Sequence, residues 1–472
     1  MTTGRSIARN FSIQLTGKIL SVLIGLVCVA IITRVLGTSA FGEYTTAVTY
    51  LQFFGVVVDF GLTLTLIVMI SKPNVDEERV VGNFFGLRLV SGFFMFSLAP
   101  LLVIALPWSS TVKMAVLVGA AAYFLMGGAS MLVGVFQRHE SMWRAAFAEV
   151  LNRGVLLAFT ALFALTAPGV VEMVVAMVVA NAVWLVAMIW LATPFVKIRP
   201  LFDWSQWKLI LSQSWPIAVS IMFNLLYLKG DILFLAYFRD QAQVGLYGAA
   251  YRILDVLTVV PTMLMGIALP SLVAMWSQDR LPEFRARAAK IFDVFVLVIL
   301  PVVVGAQLTS TEMMTLIAGE AFTDAGPVLA WLVLALVGVF MGTLYGHLVV
   351  AVGKQRVMTW GYLLVAVLSI AGYLTYIPRF GMWGAVGVTL FSEAAVALIT
   401  FWVVYRASGS LPNLSTLFKA AIASGVMYVV LMNLDVPVLV DLLVGAVVYV
   451  ASLFALKTIR KEELVALVQR RD

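Results

Sequence analysis

The sequence predicts an all-α polytopic membrane protein of about 14 transmembrane helices. Three observations carry this expectation. The 472 residues are 62% hydrophobic and only 12% charged, whereas soluble domains carry about 25% charged residues. Mean hydropathy is +1.04. Apolar runs of about 20 residues, each long enough to cross ~30 Å of hydrocarbon, recur along the whole chain. The expected arrangement is two six-helix lobes in parallel pseudo-twofold repeat, plus two C-terminal helices.

The runs, numbered here as spans 1 to 14, fall at 11–33, 44–70, 83–106, 112–136, 143–166, 169–192, 209–237, 244–275, 289–309, 326–352, 356–377, 382–405, 415–434 and 436–456. Those at 44–70 and 244–275 are long enough to imply tilt or bending. The first run is too long for the core of a secretory signal, and no small-residue cleavage site follows it, so it is expected to stay as span 1. The only cysteine, Cys28, lies inside that span, which rules out an intramolecular disulfide.

Charge placement tests the span count. With the N-terminus inside and one crossing per run, outside segments hold only Arg34, Lys113, Arg239 and Arg379. Lys18, Arg88, Arg153, Lys229 and Arg252 fall within spans, so the remaining 22 of the 31 Lys and Arg are inside. A wrong count would invert every later loop, so this bias supports 14 crossings with cytoplasmic N- and C-termini. The same bias accounts for the pI of about 9.4 without a nucleic-acid partner.

The expected division is a first lobe over 1–192, a cytoplasmic amphipathic linker over 193–208, a second lobe over 209–405, and spans 13 and 14 with a cytoplasmic tail over 406–472. The linker reads "TPFVKIRPLFDWSQWK", and "DRLPEFRARAAKIF" at 279–292 is similar. Such aromatic and basic segments tend to lie in the headgroup plane. An internal repeat supports the division: "FGEYTTA" (41–47) and "VGLYGAA" (244–250) share the pattern apolar-Gly-x-Tyr-x-x-Ala. Gly42 and Gly245 suit tight turns, and the tyrosines suit an interfacial belt. Six spans separate the copies, so both run in the same direction, as in a parallel repeat.

With these motifs the chain resembles the polysaccharide flippases of the multidrug/oligosaccharidyl-lipid/polysaccharide exporter superfamily. "RVLGTSAFGEYTTAVTYLQFFGVVVDFGL" (34–62) is similar to that family's span 1–2 signature. "DILFLAYFRDQAQVGLYGAAYRI" (231–253) resembles its span 7–8 segment, and "IPRFGMWGAVGVTLFSE" (377–393) its turn into span 12. The resemblance extends over about 8–455. It implies a V-shaped, alternating-access transporter whose cargo is a glycan on a polyprenyl pyrophosphate. It also implies a monomer in a prokaryotic cytoplasmic membrane, working beside glycosyltransferases and a glycan polymerase. No cofactor is expected, and the sequence has no phosphate-binding loop ending in GK[ST]. A lipid II flippase also has 14 spans and stays open as an alternative. A multidrug or cation antiporter of the same superfamily usually has about 12. A glycan polymerase or ligase needs a large outer loop, which this chain lacks.

Helical spacing selects candidate site residues. Thr45, Thr49, Gln52, Asp59 and Thr63 fall within about 80° on span 2. Gln213, Ser220, Asn224, Tyr227 and Asp231 form a comparable stripe on span 7, and Gly248, Arg252, Asp255, Thr262 and Gly266 another on span 8. On span 1, Asn10, Gln14 and Lys18 stand four apart. These four spans are expected to wall a polar lumen. Lys18, Arg88, Gln52, Asn224 and Arg252 are the substrate-binding candidates. Asp59, Asp231, Asp255 and Glu393 are the ion-coupling candidates; Asp59 and Glu393 have no base within a turn, and such an intramembrane acid is able to carry a proton.

Structural alternatives stand beside each of these. Arg252 and Asp255 are three apart and able to pair, while Glu149 and Arg153 have the spacing of a structural ion pair. Arg88 is able to snorkel to the headgroups, and Glu393 to sit neutral between helices. Gly230, between Lys229 and Asp231, is a candidate hinge. His347 reads as a packing residue and His139 as a loop residue; two histidines and one cysteine give no metal-site spacing and no catalytic set.

Overall fold

The computed structural model describes residues 4–458, excluding the side chains of 4–15, 216, 217 and 220. Asn10, Gln14 and Ser220 of the expected stripes, and the basic tail beyond 458, lie outside the described residues.

The described chain is helical throughout, without strands. The helices are α1 (Gly4–Asp59), α2 (Leu62–Ile70), α3 (Glu77–Val103), α4 (Ser110–Met131), α5 (Val133–Arg138), α6 (Met142–Thr166), α7 (Val170–Ala192) and α8 (Trp204–Phe238). They continue with α9 (Gln241–Leu257), α10 (Val259–Ser277), α11 (Leu281–Ala318), α12 (Ala325–Ala351), α13 (Gln355–Phe380), α14 (Met382–Ser408), α15 (Leu414–Met432) and α16 (Val438–Ala455). In hydrocarbon a helix satisfies its own backbone, so long apolar runs fold this way.

Thirteen stretches among the described residues are long and apolar enough to cross a membrane. The first, Thr16–Ile70, has 55 residues, which at 1.5 Å per residue spans about 80 Å, enough for two crossings. It breaks at Gly37, where φ is 70° and ψ is −178°. A side chain is strained at such a φ, which glycine adopts freely. The turn expected at Gly42 therefore lies five residues earlier. The same stretch breaks again at Phe60 and Gly61, both with positive φ. The other long run is interrupted at Thr258, between α9 and α10, where the backbone keeps helical torsions. No break occurs at Gly230: α8 runs through it as one 35-residue helix, against the expected hinge.

The chain forms two compact units, residues 1–248 with 317–321, and residues 249–316 with 322–472. In the first, Leu66, Phe84, Phe136, Met188 and Ile210 belong to one buried apolar cluster. Asn152 and Asn181 pin the bundle inside: Asn152 Nδ2 donates to Asn181 Oδ1 (3.1 Å), and Asn181 Nδ2 to the Ala122 carbonyl (3.1 Å). In the second, Met427, Leu431, Tyr449 and Leu453 pack α15 on α16, and Tyr449 donates to the Leu297 carbonyl of α11 (2.9 Å).

The segment before α8 is an extended strap docked on α3. Leu201 N donates to the Gly82 carbonyl (2.9 Å), and Asp203 N to Asn83 Oδ1 (3.1 Å). A Cβ on Gly86 would stand 2.1 Å from the Leu201 carbonyl oxygen, so only glycine permits this approach. Leu201, Phe202 and Trp204 of this segment stay exposed.

Candidate functional site

The two copies of the Gly-x-Tyr motif pack against each other, α1 against α9. A Cβ on Gly42 would lie 1.8 Å from the Gln241 carbonyl oxygen. A Cβ on Gly245 would lie 1.9 Å from that of Thr38. Each glycine thus meets the carbonyl four residues before the other, a twofold-like exchange. Thr46 Oγ1 donates to Gln241 Oε1 beside it (2.8 Å), and Thr45 fills the space over Gly248. The glycines are therefore helix-crossing residues, which correct the expectation of tight turns; small residues let backbones approach this closely. The motif tyrosines are buried rather than interfacial: Tyr44 donates to the Met177 sulfur, and Tyr247 is fully enclosed.

The charged candidates in the first unit are largely engaged with one another. Arg88, 5% exposed, donates to Asp59 Oδ1 (2.8 Å) and to the Val58 carbonyl (3.2 Å). Asp59 also accepts from Thr63 Oγ1 (2.7 Å). Gly127 of α4 makes room for the guanidinium: its Cβ would be 3.0 Å from Nε. Asp59, without a base nearby in sequence, thus has one across the bundle, and Arg88 points inward rather than snorkelling. Lys18 Nζ donates to Glu149 Oε1 (2.9 Å), with both side chains partly exposed. This pair replaces the Glu149–Arg153 pair expected from spacing, because α6 packs on α1 with Glu149 against Lys18.

Asp231 is fully buried, against the expectation of a lumen-facing acid. It accepts from the Tyr247 hydroxyl and from the backbone N of Ile232 (2.7 Å), so it joins α8 to the motif tyrosine of α9. Asn224 Nδ2 donates to Tyr227 on its own helix (2.7 Å). Thr45 and Thr49 are buried, whereas Gln52, Asp59 and Thr63 of the same stripe remain partly exposed. The stripe therefore divides between helix packing and accessible surface.

In the second unit, Arg252 and Asp255 approach to 3.9 Å and keep a third or more of their side-chain surface exposed. Glu393, 4% exposed, sits where α14 crosses α12. A Cβ on Gly338 would lie 2.7 Å from the Glu393 carbonyl carbon, and Gly342 faces Val396 one turn on. Gly338 and Gly342, four residues apart, form a small-residue pair that is given its meaning by this crossing. His347 is bonded to the Thr343 carbonyl (2.7 Å) on its own helix.

Sequence reasoning passed over Gln241, Asn152 and Asn181, and only Gln241 carried a signal, by its place just before the second copy of the repeat.

These features define a class: a multi-pass, all-α membrane protein built on a helix repeat, with polar and charged groups inside its bundles. The chain belongs to the polysaccharide biosynthesis protein family, whose model matches residues 7–276. It is 25% identical over 431 residues to the succinoglycan biosynthesis transport protein ExoT of Rhizobium meliloti, covering 88% of this chain and 83% of that one. It is 24% identical over 247 residues to the probable flippase AglR of Haloferax volcanii; that match spans about half of each chain, 50% and 51%. Among solved structures, the lipid II flippase MurJ in an inward closed conformation superposes with a TM-score of 0.76 at 14% identity, covering 95% of this chain and 99% of that one. An inward-facing multidrug transporter of the MATE family gives 0.68 at 16% identity, covering 84% and 98%. At these identities the structures establish a shared fold.

Proposed function

We propose that this chain moves a glycan on a polyprenyl pyrophosphate from the cytoplasmic to the outer leaflet by alternating access, drawing on an ion gradient. The observation that carries the reading is family membership over residues 7–276, alongside relatives named as a flippase and a polysaccharide transport protein. The partly exposed cations and amides support it: Lys18, Gln52 and Arg252 are suited to pyrophosphate and sugar hydroxyls. Arg88 and Asn224, also proposed for the substrate, are engaged with Asp59 and Tyr227. Of the acids, Asp255 and Glu393 are proposed for gradient coupling, since Asp59 and Asp231 are committed to Arg88 and Tyr247. Both termini lie in the cytoplasm of a prokaryotic cell, in keeping with the 22-to-4 charge bias.

Deletion of the gene tests the reading. Lipid-linked glycan should accumulate on the cytoplasmic face and be cleared when the wild-type chain is restored. Purified protein in vesicles should expose the fluorescently labelled lipid-linked glycan to an external glycosidase. Normal glycan display in the deletion strain, with no exposure in vesicles, refutes the assignment. Full transport by Glu393→Gln under a proton gradient removes that acid from the coupling mechanism.

A further inference from the structure

A groove between α10 and α11, within the second unit, has a cavity of about 290 Å³. Leu264 and Ala268 line it from α10, and Arg287, Lys290, Ile291 and Val294 from α11. The last four stand at i, i+3, i+4 and i+7, so they share one helix face. The basic pair comes first along α11 and the apolar pair one turn deeper. α11 has 38 residues, about 57 Å of helix against ~30 Å of hydrocarbon. Its first turns therefore extend past the acyl region. The apolar sequence begins at Ile291, which puts Arg287 and Lys290 at headgroup depth and Val294 among the chains.

Three neighbouring charges make contacts within the chain itself. Arg280 pairs with Glu283 (3.0 Å), and Arg285 Nε donates to the Ser408 carbonyl (2.6 Å). Asp293, the nearest acid on α11, is turned to Thr416. Arg287 and Lys290 are exposed and take part in no ion pair among the described residues. Two unneutralised cations thus stand over an apolar slot.

We propose that this groove binds an anionic phospholipid from the adjoining leaflet, with the phosphate on Arg287 and Lys290 and an acyl chain along Ile291, Val294 and Leu264. Basic pockets between membrane helices at headgroup depth recognise such lipids. On the topology proposed above the leaflet is the cytoplasmic one, where anionic lipid attracts basic segments. The site is separate from the glycan cargo, so it stands or falls independently of what is carried.

Native mass spectrometry of the full chain in detergent, titrated with phosphatidylglycerol, reads the binding. The wild type should retain one tightly bound phosphatidylglycerol and discriminate against phosphatidylcholine. Arg287→Gln with Lys290→Gln should weaken it on the order of thirtyfold, from the attraction that each cation adds near the surface. Val294→Trp keeps both charges but fills the slot, and it should also weaken binding. Melting temperatures equal to wild type in phosphatidylcholine discs show that each variant is folded; should Val294→Trp melt early, Ile291→Phe replaces it. Three results would each overturn the proposal: unchanged binding in the double variant, unchanged binding in the folded slot-filling variant (mere surface adsorption), or displacement of the phosphatidylglycerol by equimolar undecaprenyl pyrophosphate (a cargo site).

Discussion

Replacing Gly42 by Ala should open the crossing of α1 and α9. The added methyl would stand 1.8 Å from the Gln241 carbonyl oxygen, and Cβ atoms essentially never come within 3.0 Å of a neighbour. The two backbones must therefore separate by about 1.2 Å or more, which overpacking data put at ~1–3 kcal/mol. Nothing in a state where these helices are apart resists the methyl. The closed crossing should thus lose about 5- to 150-fold in population relative to an open one. In a Cys28→Ala background, cysteines at 46 and 241, whose native side chains are hydrogen-bonded at 2.8 Å, report closure through a short thiol cross-linker. Gly42→Ala should cut the cross-linking rate and slow transport. Gly245→Ala should do the same, since its methyl meets Thr38 at 1.9 Å. The double variant should cost less than the sum, because one separation relieves both clashes. Wild-type cross-linking and transport in Gly42→Ala would refute the reasoning.

Asp59→Asn should destabilise the fold more than Arg88→Met, judged by melting in detergent. The first strands a 5% exposed guanidinium at about 3–5 kcal/mol, while the second leaves a carboxylate with some access to water. Gly338→Val should loosen α12 on α14, since even a first methyl stands 2.7 Å from the Glu393 backbone; a lowered melting temperature checks it, and an unchanged one removes that crossing as a tight point. Asp203 is held down to about 2, first by the Ser205 hydroxyl and then by Arg79. A carboxyl lowered on folding stabilises above its ordinary value of 3.8 and loses that contribution as pH falls through its folded one. The strap on α3 should therefore loosen between about pH 4 and 2, read as a lower hydrogen-exchange protection factor at the Leu201 amide relative to its intrinsic rate at each pH; Asp203→Asn should flatten that pH dependence.

Much of the fold was legible in sequence because its cause is local. Spans follow from hydrocarbon thickness and helical rise, and the long run at 44–70 does break, at Phe60 and Gly61. The site was legible only in part. Arg252 and Asp255 are near neighbours on one helix, and spacing alone anticipated their approach. Asp59 and Arg88 are 29 residues apart, and Lys18 and Glu149 are 131 apart. No helical periodicity links such pairs, so Asp59 looked unaccompanied and Glu149 was matched to Arg153.

By itself the sequence determined that this chain crosses a membrane many times, repeats its Gly-x-Tyr motif and belongs to the polysaccharide biosynthesis protein family. Hydropathy, charge bias and motif spacing are properties of the chain read along its length. Only tertiary structure decided that Gly42 and Gly245 face each other rather than turn the chain, and that Asp231 is spent on Tyr247. The reason is that a glycine or a carboxylate looks the same in sequence whatever lies against it. Its role is set by the backbone or hydroxyl that packing brings within a few ångströms.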